Sequence, residues 1–402
     1  MNKVEYSFLY LNQETFLWTN NEKGCVYNCL NQKIFVFKNN EVLNMVLEEL
    51  LNVNNLYRTR LSQKLILDKN IQNWITDIEN IEAGGVESEE DAKKRITFKP
   101  LLKIQQTQDF YRYNYEQRKE SGNIMDNLHT LIFNINGSKY GNDNYFKQIL
   151  YPKQSTEVLN KDDVFDFIDN SKKSNLLSTV GLLGNIWEYP DYEKLISNLK
   201  NYPYRVVYYC LEEDCRSNTN IDFLDENFNL NILVTECASK KISPIISPHI
   251  LYTFIVASEQ DMEQIEDIVS LYPALSYKVI PIYTGKNIDF MREYVFIREE
   301  DFLNANLSKR EIFTRQAINI HDFGTLTIDC DGAVYSNTHS SPIGRIDESP
   351  HSIVYREITE GKCWLRIRDQ YPCSNCIYQW LCPSPSNYEL AIERPNLCDL
   401  SV

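Results

Sequence analysis

The pattern of apolar and polar positions divides the chain into three textures. In the first, "TFLWTNNEKGCVYNCLNQKIFVF" (Thr15–Phe37) sets β-branched and aromatic runs between polar breaks. That pattern predicts a two- or three-stranded meander. Val42, Leu43, Val46, Leu47, Leu50 and Leu51 then recur at helical spacing. "LSQKLI" predicts a second short helix. Ile71, Trp74, Ile75, Ile78 and Ile81 mark the stripe of a third, with Asp68 as its N-cap and Gly84 as its C-cap. Strands followed by three short helices predict a winged-helix-like unit over residues 1–88. "GGVESEEDAKKR" (Gly84–Arg95) is polar and charged and reads as a linker or exposed loop.

The second texture alternates. Apolar runs at His129–Ile135, Leu176–Leu183, Arg205–Leu211, Leu230–Glu236, Ile250–Ala257 and Tyr277–Tyr283 predict strands. Segments such as "PDYEKLISNLKN" and "SEQDMEQIEDIVSLY" between them predict helices. Strands alternating with helices imply an α/β fold with a parallel sheet, open or curled into a partial barrel. The strands are apolar on both faces, as they must be when helices cover such a sheet. The third texture begins near Asn319. "FGTLTIDCDGAVYSN" reads as a hairpin turning at Asp331-Gly332. A cysteine-rich tail follows.

Composition narrows the function classes. A length of 402 residues allows two or three domains, and a 43% hydrophobic fraction supplies real cores. A formal net charge of −15 argues against a nucleic-acid partner. Residues 1–86 hold eight Lys/Arg against ten Asp/Glu, so a DNA-binding winged helix lacks its basic footprint. The start of the chain has no basic region leading into an apolar one, and no apolar run approaches the ~20 residues that cross a bilayer. The expected location is therefore the cytoplasm. There, eleven cysteines read as thiols or metal ligands rather than disulfides.

The tail "YPCSNCIYQWLCPSPSNYELAIERPNLC" (Tyr371–Cys398) places Cys373, Cys376, Cys382 and Cys398 in C-x2-C-x5-C-x15-C spacing. Four thiolates in such a run can hold a [4Fe–4S] cluster, a single iron or a zinc ion. With four protein ligands, no metal position stays open to substrate, so the expected role is structural. Cys25 and Cys29 form a C-x3-C pair in the meander and read as buried or partly exposed thiols. Cys363 reads as a packed helical cysteine, and Cys210, Cys215 and Cys237 as core residues on or near the parallel strands. His321, in "NIHDFG", reads as a hydrogen-bonded histidine beside the hairpin.

Taken together, these residues resemble a known arrangement. "VYNCLNQKIFVF", the apolar helix and "IQNWITDIENIEAGGV" are similar to peptide-recognition elements of ribosomal-peptide maturation. The middle resembles the partial (β/α) barrel of radical SAM enzymes, and the tail resembles their SPASM domain. The order of modules resembles most closely the pseudo-radical-SAM/SPASM proteins of Bacteroidales peptide-maturation systems. The resemblance implies three units: a peptide-recognition element over 1–88, a degenerate barrel over 98–312 and a SPASM-like metal domain over 313–402.

The departures matter as much as the likeness. Radical SAM enzymes carry C-x3-C-x2-C after the first barrel strand. Here that segment, "NGSKYGNDNYFKQ", has no cysteine. The Gly-Gly-Glu that would hold the cofactor's amine falls on Leu183, Gly184 and Asn185, and an asparagine lacks the charge an ammonium wants. S-adenosylmethionine binding is therefore not expected. Of the two SPASM clusters, the first loses ligands at Asn337 and Ser386, with His321 near its upstream position. The second keeps Cys373, Cys376, Cys382 and Cys398, and the resemblance favours one [4Fe–4S] cluster there over zinc. The implied function is a non-catalytic accessory that binds a precursor peptide, an active radical SAM partner, or both. The alternative is an active redox or radical SAM enzyme that uses the auxiliary cluster.

Overall fold

A computed structural model describes residues 7–101, 123–216, 221–235 and 242–400. The meander appears as β2 (Thr15–Thr19), β3 (Lys23–Asn28) and β4 (Lys33–Lys38), antiparallel and in sequence order. β1 (Ser7–Leu11) instead lies between β5 (Arg58–Leu61) and β6 (Gly84–Ser88) in a second antiparallel sheet. The three helices form at Glu41–Leu51, Gln63–Ile66 and Lys69–Asn80. The Asp68 side chain caps the last by accepting from Asn70 N and Ile71 N. Leu47, Leu50, Ile71, Trp74 and Ile78 close over Leu9, Leu17 and Val26 to make the core of this unit.

Two readings of this region need correction. Gly84 is not a helix cap: the helix ends at Asn80, Glu82 takes the left-handed turn (φ 55), and Gly84 begins β6. A Cβ on Gly84 would stand 2.1 Å from the Tyr10 carbonyl oxygen, so glycine is there for strand pairing. Nor is Gly84–Arg95 a linker, because Gly84–Ser88 pairs with β1 and Glu89–Ala92 forms a helical turn capped by Ser88.

The six apolar runs become β7 (Thr130–Asn134), β8 (Thr179–Leu183), β9 (Arg205–Leu211), β10 (Phe228–Val234), β11 (Ile250–Val256) and β12 (Tyr277–Pro281). The expected end of the fourth run, Glu236, lies outside the described residues. All six strands are parallel, each bonded to its neighbour in sequence. The sheet continues beyond β7 into β13 (Thr325–Ile328), β14 (Ala333–Tyr335) and β15 (Gly344–Arg345), giving nine strands in all. The hairpin is thus an extension of the main sheet. Its turn centres on Cys330 and Asp331, one residue earlier than expected. Gly332 donates to Asp329 O at 2.8 Å and supplies the positive φ of 82°.

Period-2 alternation gives the sheet two apolar faces. Tyr208, Cys210, Ile232, Val234, Phe254 and Val256 face helices Lys161–Ser171, Tyr192–Leu199, Glu259–Leu271 and Pro350–Thr359. Leu211, Leu233 and Ile255 face the other way. The chain between β7 and β8 covers them with Tyr145, Ile149 and Tyr151. No helix among the described residues is long and apolar enough to cross a membrane.

Candidate metal centre

Cys373 opens a 3₁₀ turn that ends before Cys376. Cys382 follows a turn in which its N–H donates to Tyr378 O at 2.9 Å. Cys398 arrives from the far end of the chain, held where Ile297 N donates to Leu397 O at 2.8 Å. All four cysteines line one cavity, whose walls include Ile297, Phe302, Leu397 and Leu400. The space open to the centre of a water molecule there is about 20 Å³. Burial raises the pKa of Cys376 and Cys398 and pushes Cys382 up to about 12; neighbouring thiols add to each shift.

One cation stands against these sulfurs. The Arg368 side chain is only 4% exposed and pairs with equally buried Glu389 at 2.8 Å. It also donates to Cys373 Sγ at 3.8 Å. Burial opposes its charge, but Cys382 and Glu389 outweigh that and hold its proton more tightly than usual. Soft donors, apolar walls and a buried cation suit a thiolate-bound metal centre. Among the described residues, no three His, Cys, Asp or Glu groups converge closely enough to grip a single ion. The thiols surround a space and do not meet at a point.

A second cleft lies close by. Asn337, Ser386 and His321, the positions assigned to the other cluster, all line one cavity of about 280 Å³. Among the described residues no sulfur lines it. Asn337 Nδ2 donates to Asp322 at 3.0 Å and to Asn387 Oδ1 at 2.6 Å. Asp322 is pushed up to about 6 by burial, against the pull of Arg366 and Asn337. The His321 pKa is lowered, chiefly by burial, while a hydrogen bond with the Ser384 backbone works the other way.

Cys363 sits in neither cavity and not in a helix. It lies in the turn after Pro350–Thr359, where its N–H donates to Glu357 Oε1 at 3.0 Å and its thiol meets Ser340 Oγ at 3.3 Å. The hydrogen bonds of a turn, invisible to periodicity, place it there. Cys330 is buried in the hairpin turn beside Asp329. Cys25, in β3, is fully buried, and burial, with nearby Cys376 adding to it, raises its pKa. Cys237 lies outside the described residues.

At the carboxyl ends of the parallel strands, Gly184 adopts φ +127°, and a Cβ there would stand 2.2 Å from Asn136 O. Asn185 is buried beside it and donates to Asp214 Oδ1 at 3.3 Å. Asp214 is pushed up to about 6, mainly by burial. Sequence reasoning missed this carboxylate because it arrives from the end of the next strand, β9.

β4 forms one edge of its sheet and lies beside helix Lys69–Asn80, with Phe37 edge-on to Trp74 at 5.8 Å. Ile34, Phe35 and Val36 are half-exposed, between exposed Lys33 and Lys38.

No protein-family model matches this chain, and no curated protein matches it. Among solved structures it is similar to SuiB of Streptococcus suis. Against SuiB bound to precursor peptide SuiA, identity is 9% over 98% of this chain and 99% of the other, with a TM-score of 0.42. Against SuiB bound to S-adenosylmethionine, identity is 9% over 97% and 99%, with a TM-score of 0.43.

Proposed function

We propose that this chain is a radical-SAM-like accessory protein that binds a precursor peptide and does no radical chemistry of its own. The observation that carries the reading is the segment after β7. The resemblance would place three cluster cysteines there. This chain has none, and uses the segment to pack Tyr145, Ile149 and Tyr151 onto the sheet. On this reading, residues 1–88 recognise the peptide, 98–312 are a degenerate barrel and 313–402 hold the metal, in the cytoplasm.

The peptide adds as a strand along β4. Main-chain hydrogen bonds supply affinity, and alternate side chains rest on Ile34, Val36 and helix Lys69–Asn80. Lys33 and Lys38 at the two ends of β4 favour an acidic segment. A true radical SAM enzyme is the second partner. On this reading Cys373, Cys376, Cys382 and Cys398 hold one [4Fe–4S] cluster, the group that the resemblance to SPASM domains favours, with zinc as the alternative; all four thiols line one cavity. Such a cluster, when bound, supplies a cross-link and an electron store. Arg368 offsets part of its negative charge.

One observation favours an active enzyme instead. Asp214 places a carboxylate against Asn185, where the amine of S-adenosylmethionine would need one. Two measurements separate the readings. In the first, the full chain is titrated with candidate precursor peptides from neighbouring genes and followed by hydrogen exchange. Protection should fall on Lys33–Lys38; no protection there sinks the peptide reading. In the second, iron is loaded anaerobically with S-adenosylmethionine and reductant. Release of 5′-deoxyadenosine would overturn the non-catalytic reading.

A further inference from the structure

Two thiols outside the metal centre stand close together. Cys210 is the sixth residue of β9 and fully buried; Cys215 lies in the following helix, Glu212–Arg216, and is half-buried. Their sulfurs are 3.2 Å apart. A disulfide needs them about 1 Å closer, a shift a short helix at a strand end can absorb. Asp214, which meets Asn185, rides on the same helix as Cys215.

We propose that Cys210 and Cys215 are a dithiol that closes to a disulfide by exchange with a low-molecular-weight disulfide such as oxidised glutathione. Exposure fixes the order of events. Cys215, the less buried of the two, attacks one sulfur of glutathione disulfide as its thiolate; one glutathione leaves as its thiolate. The departing glutathione thiolate takes the Cys210 proton; the Cys210 thiolate then attacks Cys215 Sγ, forms the protein disulfide and expels the second glutathione. Two protein thiols are oxidised, one glutathione disulfide is reduced, and the two protons leave on the two glutathiones. Burial keeps Cys210 protonated, which shields it from direct attack by the oxidant. The new bond ties the end of β9 to the helix that carries Asp214. In a reducing compartment such a bond is transient and reports on the thiol pool.

The test uses the reduced full chain, incubated with glutathione disulfide, quenched in acid and mapped as peptides without reduction. A linked Cys210/Cys215 peptide should dominate, with both thiols lost to alkylation together. Cys215→Ser should abolish the linkage and leave Cys210 free of glutathione. A lasting glutathione adduct on Cys215, a Cys215–Cys237 bond or no modification of either thiol would each overturn the proposal. The wild-type map decides even if the variant folds poorly.

Discussion

Arg368 stands between the thiols and Glu389, and nothing in its sequence context marks it. The four cysteines were legible because their spacing is itself the signal. Arg368 and Glu389 became a site only through burial, which periodicity does not report. Removing one member of a buried ion pair leaves the other charged and unpaired. Arg368→Met should therefore cost roughly 3–5 kcal/mol in urea unfolding. Adding Glu389→Gln to the same chain should recover more than half of that loss. Asp322 gives a pH signature. Its folded pKa of about 6 lies above the usual 3.8, so folding binds a proton there. That stabilisation is complete below about pH 4 and lost as pH rises through 6. Asp322→Asn, which has no proton to lose, should gain on the wild type over this range by roughly 3 kcal/mol at most. Stability curves that stay parallel from pH 4 to 7 would contradict the burial argument.

At the scale of elements, legibility followed burial on both sides. The runs that became β7 to β12 were plain because a covered parallel strand must be apolar throughout. β5 was missed, since "RTRL" offers one apolar residue, and β1 because it has no hairpin partner next to it in sequence. Gly84 was misread for a physical reason. Glycine after a helical stripe signals a left-handed cap, but here Glu82 makes that turn and Gly84 serves close strand contact. The two roles predict different damage. Gly84→Ala would force a Cβ against Tyr10 O, so β6 should part from β1. Hydrogen exchange should speed up across Gly84–Ser88 while helix Lys69–Asn80 stays protected. Fraying of the last helical turn with β6 intact would restore the cap reading.

For the molecule as a whole, the two ends of the chain share one core. Phe16, Cys25 and Tyr27 of the meander pack with Phe302, Leu307, Ile312, Ile377, Tyr378 and Leu381. Polar bonds reinforce the contact: Tyr27 OH donates to Leu307 O at 2.8 Å, and Asn20 Nδ2 donates to Asn375 O at 3.1 Å. Phe302 lines the thiol cavity and stacks on Tyr378 at 4.6 Å. The tail's apolar residues thus complete a core made by distant strands, so a metal would not be its only anchor. On the proposed reading, metal held by the cysteines would stabilise the meander as well as the tail. A ligand held only by the folded state adds stability that grows with its free concentration, at every element that must unfold for release. Removing the metal with a chelator, or replacing Cys382 with Ser, should raise hydrogen exchange in β2 and β3 together with the tail. The core around β9 to β11, which packs on helices away from the cavity, should exchange at its former rate. If exchange rises in the tail alone, the shared core does not transmit the loss, and the N-terminal unit folds independently of the metal.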